Sequence, residues 1–312
     1  MDKGHKMADE ALRGLERKIK KEYTKAYKEL KAEADQYFAQ FTQRDKQMLG
    51  LMKSNKISKD EYLKWRSSTM LRTKQYQSLL DNLTNTIVNA DKVANGWSND
   101  VAVKMFVENY NFGHYEVATG TGLDLNFGLY NEDAVRNLIK NNPNLLPPRK
   151  LDIPKDMRWN RQKMNSALTR GILKGDSIPK IAKSLQSVTN MDRSSAIRNA
   201  RTMMTSAQNA GRLQAYKDAQ SKGIDLQKKW IATLDHVTRE SHVDLDGEVV
   251  PLDETFSNGL DYPGGAGPAE EVYNCRCTMV TEIKGIKYED VRNTDKLPAG
   301  ESYEDWKERY KK

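Results

Sequence analysis

Apolar positions recur at three- and four-residue steps from about Asp9 to Met48: Leu12, Leu15, Ile19, Tyr23, Ala26, Leu30, Ala34, Tyr37 and Phe41, with Lys, Arg and Glu between them. That spacing predicts one long amphipathic helix, on the order of 60 Å at 1.5 Å per residue. Around Asn55 the pattern breaks. Ser58-Lys59-Asp60-Glu61 then has the form of a capping box, a hydroxyl at the cap and a carboxylate three residues on. A second helix is predicted from there to about Val93, and its stripe of Leu79, Leu83, Ile87, Ala90 and Ala94 suits antiparallel packing on the first. Both polar faces mix acids with bases, which favours two helices burying each other over a membrane-surface role.

Between Asn95 and Pro154 the pattern loosens, with Gly120, Gly122, Pro143, Pro147, Pro148 and Pro154 punctuating it. This stretch reads as a connector holding short helices over about 101–118 and 131–140. Helical periodicity returns from Trp159 through Met164, Ala167, Leu168, Gly171 and Ile172, and Gly175-Asp176-Ser177 breaks it. Ile178-Pro179 places proline in a first helical turn. A longer helix is predicted from about Asp192, with Ala196, Ala200, Met203, Ala207, Ala210 and Leu213 on one face. Small residues dominate that face, so a close helix–helix approach is its expected use. After Gly223 the texture changes: Val243 to Val250 alternates around Asp246-Gly247, the strongest hairpin signal in the chain. Residues 258–268 must be loop, a strand is predicted over about Thr278–Ile283, and 286–312 reads as a peripheral tail. The expected architecture is therefore mainly α. It has a long N-terminal helical arm of two helices (1–94), a connector (95–154), and a helical domain ending in a small α+β module with a β-hairpin (155–285), before the tail (286–312).

The 312 residues are 38% hydrophobic and 30% charged, with mean hydropathy −0.81. Such a balance suits extended helices and modest cores in about two domains. No run of about 18 apolar residues occurs, which excludes a membrane-spanning helix. The opening MDKGHKMADEALRG lacks the apolar segment and cleavage site of a signal peptide, so folding is expected in the cytoplasm that makes the chain. The net charge of +8 is unevenly placed. Residues 1–93 carry 20 basic and 13 acidic groups, 151–229 carry 16 and 6, and 230–285 carry 3 and 11. A strongly basic segment beside an acidic one suits either a polyanion-binding face next to a separate module or two mutually attractive surfaces.

Most of the unusual chemistry lies in residues 230–277. Both cysteines and two of the four histidines fall between His236 and Cys277. His242 with the thiolates of Cys275 and Cys277 supplies three borderline or soft ligands, and Asp235, His236 or Asp246 could complete a tetrahedral zinc shell. Cys-x-Cys is a less common zinc spacing than Cys-x2–4-Cys. The alternative is that the two cysteines flank a strand or turn, one buried as a small hydrophobe, with His242 hydrogen-bonded to a carboxylate. A Cys–His nucleophile has no orienting third group in sight, and two cysteines one residue apart cannot form a disulfide framework. Arg239 and Arg276 beside Asp235, Asp246 and Glu271 read as ion pairs that hold loops. There is no phosphate loop, dinucleotide fingerprint or zincin helix.

The order Trp230, Asp235, Thr238, Arg239, His242, Leu245, Asp246, Gly247, then Phe256, Tyr262-Pro263-Gly264 and Asn274-Cys275-Arg276-Cys277, resembles the minor head proteins of tailed bacteriophages. This is the phage Mu protein F-like, SPP1-like head morphogenesis family. Ala200-Arg201-Thr202 with Thr205, Asn209, Ala210 and Arg212 is similar to that family's helix, although Met203 stands where many relatives carry an acid. The resemblance covers roughly 155–285. It implies a non-enzymatic virion component made in the bacterial cytoplasm, present in few copies at the portal vertex and assisting head morphogenesis and DNA packaging or delivery. Its implied partners are the portal protein, the major capsid or scaffolding protein and double-stranded DNA, with no membrane role. A rival from another class is a metal-dependent hydrolase or an ADP-ribosyltransferase-like toxin, since similar domains occur fused to toxin domains. The 35 residues after Cys277 are expected to leave no room for an appended catalytic domain.

Overall fold

The computed structural model describes residues 2–124, 132–142, 145–147, 149–286 and 295–310. It is mainly helical. In order the elements are α1 (Lys3–Ala39), α2 (Thr42–Lys53), α3 (Lys59–Leu71), α4 (Lys74–Thr121), β1 (Leu123–Asp124), α5 (Glu132–Asn141), α6 (Ile153–Lys174), α7 (Ile178–Gln220), β2 (Ile224–Ile231), α8 (Glu240–Asp244), β3 (Val249–Pro251), α9 (Ala269–Val272), β4 (Thr278–Ile286), β5 (Asp295–Lys296) and α10 (Tyr303–Tyr310). Among the described residues no helix is long and apolar enough to cross a membrane.

Local signals explain most element ends. Ser58 accepts from Glu61 N while Glu61 reaches back to Ser58 N, so the expected capping box forms at α3. Asp152 caps α6 through Lys155 N at 3.1 Å, with Pro154 in its first turn, and left-handed Gly175 closes its far end. Several expected boundaries differ. The first predicted helix starts six residues earlier and is split at Gln40–Phe41. The second is split after Leu71, where Thr73 Oγ1 accepts from Tyr76 N at 3.0 Å and caps α4. Beyond that cap α4 runs unbroken to Thr121, so the expected boundary at 94/95 and the short helix at 101–118 both lie inside one helix. The two helices predicted around Asp192 are likewise one, α7. Pro143, Pro148 and residue 131 of the expected connector, and 287–294 of the expected tail, lie outside the described residues.

The chain forms two compact units. One comprises Glu16–Gly96 and Lys150–Ile197, and the other Met1–Leu15, Trp97–Arg149 and Arg198–Lys312. The all-helical unit is built on a core of Leu30, Phe38, Leu79, Leu83, Met164, Leu168, Ile181 and Leu185 with their neighbours. Tyr37 meets Tyr76 and Tyr23 bonds Asp91, so α1 and α4 run antiparallel there, as their stripes predict. Arg66 is wholly buried: its Nη atoms donate to the carbonyls of Ile172 and Asp176, and its Nε lies 3.0 Å from Asp45 as an ion pair without hydrogen-bond geometry.

In the other unit α7 and α4 touch closely. A Cβ on Gly211 would fall 2.4 Å from the Phe106 carbonyl oxygen, so only glycine permits this crossing; Gly211 lies outside the set of small residues from which a close approach is expected. Arg212, one residue on, is also fully buried; it donates to Asp2 Oδ2 at 2.9 Å and Met279 O at 2.8 Å. Against this scaffold β2 is the centre of an antiparallel sheet of order β3-β2-β4. The Asp246-Gly247 turn is present, with Gly247 at φ +84°, but a helix and not a strand precedes it: α8 occupies Glu240–Asp244, and β3 pairs with β2. The tail is not peripheral. Tyr303 and Trp306 of α10 are buried against Phe112 and Tyr115 of α4, because aromatic area of this size is retained only where it leaves water.

One buried carboxylate makes the helical unit pH-sensitive. Burial raises Asp91 to about 6, the carboxylates of Asp192 and Asp156 add to the rise, and the Tyr23 hydroxyl and Lys163 oppose it. Its ordinary value is about 3.9. The folded chain therefore retains a proton that the unfolded chain gives up, and stability falls as pH rises from about 4 to 6. Asn160, which donates to Asp91 Oδ2 at 3.3 Å and whose own Oδ1 has no partner among the described residues, can turn its amide to meet an asparagine. Asp91→Asn should match the parent below pH 4 and exceed it by about 1–2 kcal/mol above pH 6, read from urea unfolding across that range.

Candidate metal centre

Three elements bring the unusual residues together. Arg239 opens α8, and its carbonyl accepts from both His242 N and Val243 N at 3.0 Å, which turns His242 inward. After α9 the chain passes through Asn274, whose positive φ of 57° suits an Asn better than most residues. That bend sends Cys275 and Cys277 into the module's interior as the chain enters β4. All three side chains are buried, and their ligand atoms lie within 4.8 Å of one another. His242 Nδ1 stands 3.7 Å from Cys275 Sγ and 3.4 Å from Cys277 Sγ. The opposite ring nitrogen, Nε2, is 3.1 Å from Glu271 Oε2. Glu271 is in turn held by Asn258 Nδ2 at 3.1 Å and Ser241 Oγ at 3.2 Å.

The walls are apolar. Trp230 of β2 meets the His242 ring edge-to-face at 5.4 Å and Phe256 at 5.1 Å, and Leu245, Leu260 and Ala232 complete the cluster. Electrostatics separate the two thiols. A hydrogen bond from Cys275 is the largest influence on Cys277; with His242 and the Thr233 N–H it outweighs burial and lowers the Cys277 thiol, while Cys275 is pushed up. Burial pulls His242 down, but Cys277 and Glu271 more than compensate and its net shift is upward.

The other sequence candidates sit apart from this cluster. Asp235 forms a two-point ion pair with Arg276 at 2.6 and 2.7 Å, which holds its carboxyl well below the usual range, and it also accepts from Val237 N and Thr238 Oγ1. Asp246 Oδ1 accepts from Ala232 N at 2.9 Å. His236 is exposed. None of the three joins the group of ligand atoms, so the expectation that one of them completes the shell is corrected. Arg239 donates to the Tyr273 carbonyl, so of the two arginines expected to form ion pairs Arg276 does so with Asp235, and the Glu271 carboxylate faces His242.

Residues 162–280 match the family described as Phage Mu protein F like protein. Over that segment the chain is similar to this family of phage head proteins. The matched segment falls within the 155–285 stretch that resembles the family and contains His242, Glu271 and both cysteines. Over 290 residues, 90% of this chain and 86% of the relative, it is 25% identical to minor head protein GP7 of Bacillus phage SPP1. It is 29% identical over 201 residues to NAD(+)–arginine ADP-ribosyltransferase EFV of Enterococcus faecalis, covering 62% of this chain but 40% of that protein. An uncharacterized Bacillus subtilis protein, YqbB, is 30% identical over 128 residues, and 40% of its length is covered. No solved structure matches the chain.

In this Mu F-like module the residue that ties the site to its scaffold is Asn209 of α7. It is wholly buried, and its Nδ2 donates to Thr205 O, Pro263 O and Cys277 O at 3.0, 2.9 and 3.2 Å. Its Oδ1 accepts from Met279 N at 3.1 Å and Thr278 Oγ1 at 3.3 Å. Beside it Thr205 Oγ1 donates to Cys275 O at 2.6 Å. The sequence marks both residues through the family resemblance alone. Lys228 escapes notice there, although alternation Ile224, Leu226, Lys228, Trp230 puts it on the buried face of β2. Its ammonium donates to the carbonyls of Leu252 and Asp261, and burial lowers it to about 8.

Asn209→Ala should strand the Met279 N–H and the Pro263 and Cys277 carbonyls in the interior, at about 1–3 kcal/mol per orphan before relaxation. A loss of about 2–5 kcal/mol in denaturant unfolding is expected, with the helical unit's Asp91 pH response unchanged.

Proposed function

We propose that this chain is a minor head protein that docks on the portal vertex of a tailed bacteriophage, after folding in the host cytoplasm, and assists head assembly and the packaging or delivery of DNA. The role is structural and not enzymatic. The observation that carries this reading is the likeness to minor head protein GP7, which runs through nearly the whole of both chains, well beyond the Mu F-like module. The long helices of the chain suit docking onto another helical assembly, and the major capsid or scaffolding protein is a further partner of the same kind. The likeness to EFV favours a second reading, an NAD-dependent transferase, but it reaches 40% of that protein.

For DNA, the basic balance of residues 151–229 is partly spent inside the fold. Arg161 pairs with Asp81, Lys163 with Asp192, Lys180 with Asp176 and Arg212 with Asp2. Along α6, Lys155, Arg158, Arg170 and Lys174 are exposed, and Trp159 beside them is 57% exposed. A row of cations along one helix follows phosphates and carries no base readout.

Two measurements test these statements. Co-expression with the portal protein of the same phage operon should yield a stoichiometric complex on size exclusion with mass determination; a chain that elutes alone at all ratios would refute portal docking. Double-stranded DNA binding should weaken steeply with salt, with a log–log slope of about −3 to −4 if four cations meet phosphates. Replacing Lys155 and Arg158 by Ala should reduce that slope by about 2.

A further inference from the structure

We propose that His242 Nδ1, Cys275 Sγ and Cys277 Sγ bind one Zn2+, with Glu271 as the carboxylate that orients the histidine. The inference concerns the module's own chemistry and does not depend on which virion component it contacts.

The geometry argues for it first. With Zn–S near 2.3 Å and Zn–N near 2.0–2.1 Å, tetrahedral angles place a ligating nitrogen about 3.6 Å from each ligating sulfur. The two observed separations, 3.7 and 3.4 Å, straddle that value. An ordinary thiol–imidazole hydrogen bond needs one sulfur at this distance, whereas here one ring nitrogen faces two at once.

Second, the tautomer is fixed from behind. Glu271 accepts from Nε2–H, which leaves the Nδ1 lone pair directed at the sulfurs. Carboxylate–histidine–metal arrangements of this type orient the ring and raise its basicity. Glu271 is itself anchored by Asn258 and Ser241, so it forms a complete outer layer.

Third, the backbone behind the ligands is rigid. Thr205 and Asn209 hold the carbonyls of Cys275 and Cys277, and Thr233 Oγ1 donates to the carbonyl of Arg276 between them at 2.7 Å. Two thiolates and an imidazole select a borderline-soft ion, and zinc is the abundant one that accepts this set without redox chemistry. Among the described residues no fourth His, Cys, Asp or Glu joins the group, so the proposed site has three protein ligands of these types.

The full chain, purified without chelator under reducing conditions, is tested by elemental analysis and by Co2+ substitution. One zinc per chain is expected, and the Co2+ form should show tetrahedral bands with thiolate-to-cobalt charge transfer. Cys277→Ser should about halve that charge-transfer intensity. Glu271→Gln removes no ligand and preserves the fold, and it should weaken zinc affinity about 10- to 100-fold in chelator competition. Chelation should lower the Tm of the parent, because metal binding is linked to folding. Two outcomes overturn the proposal. One is a folded chain with less than a tenth of a zinc per molecule and no charge-transfer band on Co2+ titration. The other is full zinc retention in a Cys275→Ser, Cys277→Ser double variant, which would put the ion elsewhere.

Discussion

A single buried amide organises the Mu F-like module. Asn209 uses both faces of its side chain on backbone that comes from two later segments, the loop at Pro263 and the start of β4. In an interior of low dielectric such a network is strong when complete and costly when any member is missing. It therefore fixes where residues 275–279 run, and with them the direction in which both cysteines point. The same stretch of α7 presents Gly211 to the Phe106 carbonyl, and Gly264, at φ +77°, lies where a Cβ would come within 3.0 Å of Ser206 N and Thr205. Side-chain hydrogen bonds and missing Cβ atoms thus do the same task on one helix, letting backbone approach backbone.

Around that fixed strand the smaller elements have little stability of their own. The five residues of α8 and the four of α9 are far below the length at which a helix persists alone in water. Contacts to side chains hold them: Arg239 reaches the Tyr273 carbonyl, Glu271 reaches His242, and Arg276 binds Asp235 of the loop between β2 and α8. The exposed Arg276–Asp235 pair serves mainly to set loop geometry, since exposed ion pairs contribute little free energy. Of these contacts, the one between Glu271 and His242 reaches the Trp230–His242–cysteine cluster itself.

Much of this was legible in the residues, and the parts that were not have identifiable causes. Helix faces were read from Ile19, Leu30, Leu83 and Met164 because burial follows the 3.6-residue period wherever a helix lies on a core. Breaks at Gln40–Phe41 and after Leu71 leave little trace in the sequence, because neither contains glycine or proline and the stripe continues in phase; Thr73 three residues before Tyr76 is the cap signal there. Alternation from Val243 to Val250 suggested a strand, but period two over so few residues cannot exclude a helical turn, and the Arg239 carbonyl supplies one. The cysteines and His242 stood out by residue type. Glu271 did not, because an acid near two arginines reads as an ion-pair partner, and only three dimensions place it behind the imidazole. The aromatic content of the last segment, Tyr303, Trp306 and Tyr310, was the sign that it is packed.

The sequence separation of Asn209 from its partners has a consequence for synthesis. Its carbonyl and amide partners follow by 54 to 70 residues. At ribosomal rates of about 5–20 residues per second, this stretch of α7 is complete for some seconds before the strand that satisfies it exists. During that interval Gly211 already has α4 to pack on, while the Asn209 amide still lacks Pro263, Cys277 and Met279. The nascent module is then an unfinished surface that closes only when β4 arrives, and translation order, more than any local propensity, sets when this half of the protein becomes native.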